Sequence, residues 1–90
     1  MPHCRTDLLN DLADVLAEIR TWAGVAEKKP GVFYVGRDPF LHFHLVDGGR
    51  RRADIKAKSD WMQVFVPRPA SPTLRRRLLR RLRACWAEKH

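Results

Sequence analysis

The stretch Pro39-Phe40-Leu41-His42-Phe43-His44-Leu45-Val46-Asp47-Gly48-Gly49-Arg50-Arg51-Arg52-Ala53-Asp54-Ile55-Lys56 constrains the fold of this chain more than any other. Leu41, Phe43 and Leu45 alternate with Phe40, His42, His44 and Val46, which is the period of a half-buried strand. Asp47-Gly48-Gly49 follows as turn chemistry, with a turn-initiating carboxylate and two residues that reach positive φ at no steric cost. The partner strand runs from about Arg51 to Ala57. Two registers compete. A two-residue Gly48-Gly49 loop sets Asp54 among the apolar residues. A three-residue loop with a glycine bulge sets Ala53 and Ile55 there instead. A one-residue slip exchanges the faces of a strand, so burial selects the second register. In it Arg52, Asp54 and Lys56 join His42 and His44 on the outer face, and Asp54 lies across from His42.

The flanking segments complete an α+β reading. Leu8, Leu12, Val15, Leu16, Ile19 and Trp22/Ala23 recur at helical spacing, predicting an amphipathic helix from about Asp7 to Ala26, with Thr6 as its cap. Pro30-Gly31 breaks the chain, and Val32-Phe33-Tyr34-Val35 reads as a short strand. Trp61–Val66 reads as another, with Met62, Val64 and Val66 on one face and Trp61, Gln63 and Phe65 on the other. Ser71-Pro72 starts a last helix that runs to about Trp86. The expected architecture is a two-layer, four-stranded antiparallel meander with one helix at each chain end, both on one face (order α-β-β-β-β-α). With 90 residues this makes one small domain over 1–90.

The net charge of +8 is unevenly placed. Residues 1–30 hold four basic against five acidic side chains, so the remainder carries +9. Six arginines stand between Leu74 and Ala84, more than solubility requires. An excess of this kind points to an anionic partner. No apolar run is long enough for a membrane span and no signal sequence follows Met1, so the expected location is cytoplasmic and the expected partners include no membrane. Cys4 and Cys85 are expected as free thiols, Cys85 within the core.

Three functions compete for the outer face and the arginines. The leading one is nucleic-acid binding, with Arg50, Arg51, Arg52, Arg76, Arg77, Arg80, Arg81 and Arg83 on phosphates and sheet aromatics stacking unpaired bases. The second is a protein-interaction or homodimer module anchored by Phe40, Trp61 and Phe65. The third is a zinc or iron site held by His42, His44 and Asp54, because residues two apart on a strand project to the same side. His-Phe-His on a strand is similar to the ligand pair of α-type carbonic anhydrases over these three residues. The order of elements resembles the double-stranded-RNA-binding domain, with Thr73-Leu74-Arg75-Arg76-Arg77 where that family has a Lys-Lys-x-Ala-Lys pattern. Chemistry is the weakest expectation. The chain has no glycine-rich phosphate loop and no nucleophile elbow, and a His42–Asp54 pair would be its sole general base.

Overall fold

The computed structural model describes residues 6–46, 50–57 and 60–89, with side chains from residue 8 to residue 88 outside the two gaps. The turn at Asp47-Gly48-Gly49, the polar turn at Lys58-Ser59 and Cys4 lie outside the described residues, whereas Thr6 opens a 3-10 segment and is not the cap of the first helix, whose N-cap position is Leu12 without a side-chain cap.

Thr6–Leu12 forms a 3-10 segment that leads into helix α1, Ala13–Arg20. Leu9, Leu12, Val15, Leu16 and Ile19 are buried along it, as their three- and four-residue spacing requires. The helix stops well before Ala26. The N–H groups of Thr21 and Trp22 turn back onto the carbonyls of Glu18 and Ile19, and Gly24 then takes φ 79°. A residue without Cβ adopts that left-handed geometry freely and ends a helix. Val25–Lys29 consequently leaves as a strand, β1, antiparallel to β2 at Val32–Val35.

The sheet therefore has five strands, not four. It continues through β3 (Asp38–Val46), β4 (Arg50–Ala57) and β5 (Asp60–Val66), in the order β1-β2-β3-β4-β5 with every neighbouring pair antiparallel. Helix α2, Pro72–Lys89, follows. Its start is capped as expected, with Ser71 Oγ accepting from the Leu74 N–H at 3.1 Å. The α+β class, the meander and the two end helices match the sequence reading; a five-stranded sheet also departs further from the three-stranded RNA-binding order. None of the described helices is long and apolar enough to cross a membrane.

The β3–β4 register pairs Leu41 with Ile55, His42 with Asp54 and Phe43 with Ala53. Burial therefore selected the register that hides Ala53 and Ile55. These residues join Phe33, Val35 and Val66 from the sheet, Leu12, Val15 and Ile19 from the N-terminal segment and Leu78, Leu82 and Cys85 from α2 in one core. Gly31 takes φ 77°, which any residue with a Cβ would adopt under strain, and a Cβ there would also stand 2.9 Å from Leu9 Cδ1, so that side chain would have to shift.

Phe40 corrects the expected outer face. The β2–β3 register shifts between Phe33/Leu41 and Tyr34/Pro39, leaving Phe40 as the extra residue of a bulge. The bulge breaks strict alternation, and Phe40 is fully buried in the core beside Leu41. It is not an interaction anchor.

Candidate nucleic-acid interface

The outer face of the sheet divides into a closed half and an open half. The closed half is built on β3 and β4. Asp54 sits across from His42, but its carboxylate reaches the diagonal imidazole: His44 Nε2 lies 3.0 Å from Oδ2. Arg52 clamps the same carboxylate with two hydrogen bonds, Nε to Oδ1 at 2.8 Å and Nη2 to Oδ2 at 3.2 Å. The His42 ring lies against His44, with centroids 3.9 Å apart. His44 is only 6 % exposed.

His42, His44 and Asp54 thus do meet, as the strand register predicts, but the geometry serves packing. Both Asp54 oxygens are occupied by a guanidinium, and a cation in that position opposes a divalent ion. Among the described residues no three His, Cys, Asp or Glu side chains are placed to hold a metal ion. A general base must reach its substrate, and the buried His44 does not. The sequence sets Asp54 with His42, its partner across the strands; the structure adds His44, because a carboxylate side chain also reaches the neighbouring rung.

The open half is built on β5 and the outer residues of β4. Trp61 is 45 % exposed and Phe65 55 % exposed, with Gln63 exposed between them. Alternate strand residues stand roughly 6.6–6.8 Å apart, so the three form a ladder along one face. Each aromatic carries a cation: Lys56 Nζ lies 5.2 Å from the Trp61 ring centroid, and Arg50 Cζ 5.0 Å from that of Phe65. Such contacts hold a cation beside a ring by about 0.5–1 kcal/mol at exposed sites, little enough to be exchanged for a phosphate.

The predicted arginines divide into separate groups. Arg51 is 1 % exposed and belongs to the interior. It donates from Nε to the Val66 carbonyl (3.2 Å), from Nη1 to the Leu8 carbonyl (2.9 Å) and Asp11 Oδ1 (2.6 Å), and from Nη2 to Asp11 Oδ2 (2.9 Å) and the Pro67 carbonyl (2.7 Å). All five N–H groups of a guanidinium are then used, and none remains for a phosphate. Asp11 also accepts from the Ala70 N–H at 2.6 Å. Burial alone would raise the Asp11 carboxyl, but these hydrogen bonds and the charge of Arg51 hold it below its ordinary value. Sequence reasoning placed Arg51 among the phosphate contacts. The signal against it was the alternation itself, since a register that turns Ala53 and Ile55 inward turns Arg51 inward too.

Helix α2 presents its arginines on three rows. Arg75 and Arg83 face α1, where Arg75 Nε meets Asp14 (3.1 Å) and Arg83 meets Glu18 (3.7 Å). Arg83 also lies over the Trp22 and Trp86 rings, which pack at 5.6 Å. Arg76 and Arg80 are exposed along the ridge. Arg77 and Arg81 lean towards β5, with Arg81 Nη1 3.3 Å from Met62 Sδ. The helix arginines and the outer sheet face lie on different layers that meet at the β5 edge, where Gln63 and Phe65 line one groove with Arg77, Arg80 and Arg81. Comparisons of the chain with protein-family models, with curated proteins and with solved structures find no significant match.

Proposed function

We infer that this chain is a basic binding module for single-stranded nucleic acid, and that the open half of the outer sheet face is its platform. The observation that carries this reading is the Trp61-Gln63-Phe65 ladder with Lys56 and Arg50 lying over its two rings. Unpaired bases stack on such rings without sequence preference. The two cations leave the rings for the phosphates as bases take their place, and the net charge of +8 draws a polyanion from a distance. Arg52 stays with Asp54 and positions β4. The exposed helix arginines contribute to the long-range field from the other layer.

The test is a titration with fluorescein-labelled oligo(dT) and oligo(U) at several salt concentrations. Trp61→Ala and Phe65→Ala should each weaken binding by the stacking of about one base, ~1–3 kcal/mol. Lys56→Gln and Arg50→Gln should each lower the salt slope by about 0.7. Absence of salt-sensitive binding at micromolar protein would overturn the reading, as would unchanged affinity in both aromatic variants. Stacking of two copies through the same rings would instead appear as a dimer in light scattering that Phe65→Ala dissolves.

A further inference from the structure

The second open feature of the molecule is the edge of the sheet. β5 ends the strand order and has no strand partner on its outer side among the described residues. An edge strand turns alternate N–H and C=O groups outward, ready to pair with another chain. Beside this edge a groove of about 850 Å³ opens between β5 and α2. Val64, Phe65, Leu74 and Leu78 contribute to its apolar lining, and Arg77, Arg80 and Arg81 stand along it, Arg80 nearest the exposed ridge.

We propose that this groove takes an extended acidic peptide segment, which adds to β5 as a sixth strand and sets two carboxylates, two residues apart, on Arg77 and Arg81. The match is one of spacing and charge. Arg77 and Arg81 are one helical turn apart, a rise of about 6 Å. Alternate side chains of a strand are roughly 6.6–6.8 Å apart. An acid-x-acid segment running along β5 therefore presents a carboxylate to each guanidinium, in the fork geometry that arginine favours. Its main chain pairs with the β5 edge, as in other strand-addition complexes. Its remaining helix-facing side chain meets Leu74 or Leu78 and is apolar. A second copy of the chain fits poorly, because it would bring another net charge of +8 to a groove already lined with arginine.

This site adjoins the base-stacking platform, since Gln63 and Phe65 also line the groove. Trp61 lies outside the groove lining, so Trp61→Ala is the variant that tells the two apart. The experiment uses a fluorescent peptide of sequence Glu-Thr-Glu-Thr-Val, whose valine takes the remaining helix-facing position, and a second peptide of equal charge with proline replacing both threonines and the valine. The first should bind and slow hydrogen exchange at the β5 amides. The second should not bind, because proline offers no N–H to a strand partner. Arg77→Glu and Arg81→Glu should each weaken the first peptide by about tenfold or more, while Arg76→Glu on the ridge changes it by less than about twofold. Arg77→Gln and Arg81→Gln, with their fold checked by amide spectra, guard against loss of structure and should show a smaller weakening of the same pattern. Equal binding of the proline peptide, unchanged exchange along β5, or an Arg76→Glu effect as large as that of Arg77→Glu would overturn the proposal. So would a dimer whose interface protects the β5 edge, or displacement of the peptide by oligo(dT) that persists in Trp61→Ala.

Discussion

Arg51 and Arg52 are neighbours on β4 and live in different worlds. Arg51 points to the helix layer, is 1 % exposed and spends every donor on Asp11 and three carbonyls. Arg52 points to the outer face, keeps part of its side chain in water and holds one carboxylate, Asp54. The same residue type is thus a structural bolt on one side of the sheet and a positioning group on the other. The difference teaches where charge can be left incomplete. In the interior an unpaired charge loses its hydration with nothing in return, so the fold must supply a full set of partners. At the open half of the outer face water completes what the protein does not, so loosely held cations such as Lys56 can stay available to a ligand.

Replacing Arg51 tests this contrast at its largest. Arg51→Ala leaves the Asp11 carboxylate without its cation and frees three carbonyls, that of Val66 buried and those of Leu8 and Pro67 partly so, in a bolt that ties the 3-10 segment, β4 and the chain after β5 together. The expected loss is about 3–5 kcal/mol in urea unfolding, the usual result of breaking a buried ion pair from one side. Arg52→Ala should lose less, about 1–2 kcal/mol, because its pair with Asp54 is partly open to water and His44 remains beside the carboxylate. Equal losses would erase the distinction between the two faces.

The acid response is the next largest effect. The folded-state carboxyl of Asp11 titrates below its ordinary value. Its contribution is therefore complete above the ordinary aspartate range and disappears as pH falls through that range towards the lower folded value. Unfolding free energy should decline on acidification through this window. Asp11→Asn should remove about 1.5–3 kcal/mol at neutral pH, the scale of hydrogen bonds to a charged group, and flatten the acid slope. A variant that keeps the parental slope would assign the acid response to other carboxylates.

Residues on the two faces differed in how legible they were. Leu41, Phe43, Ala53 and Ile55 declared the inner face because apolar alternation has one burial solution. Ser71 and the Leu78/Leu82/Cys85 stripe declared α2 by cap and period. Val25–Lys29 did not declare itself: Val25 and Ala26 continue the helical spacing of α1, and only pairing with β2 turns them into a strand. Phe40 was hidden by a bulge, whose extra residue leaves no local mark. Asp11 lies forty positions from Arg51 in the chain, so nothing near either residue announces the bolt. At the candidate platform, Trp61 and Phe65 were readable from alternation. The contact of Asp54 with His44 was not, because it depends on side-chain reach between adjacent rungs.

The smallest expected effect on stability separates the faces most sharply. Phe43 and Phe65 are both strand phenylalanines, one with no exposure and the other more than half exposed. Phe43→Ala opens a cavity in close-packed surroundings. Phe65→Ala removes a ring that has water on one side and a guanidinium on the other. Surface substitutions of this kind usually shift stability within about ±0.5 kcal/mol, so the unfolding midpoints of Phe65→Ala and Trp61→Ala should almost coincide with that of the parent. The same two variants are the ones expected to lose oligonucleotide affinity. That split, unchanged unfolding with weakened binding, is the signature of an aromatic kept at the surface for a ligand. If Phe65→Ala instead destabilises the chain by as much as an interior truncation, the ring is closing the edge of the core beside α2. The outer face would then be a second structural layer and not a platform.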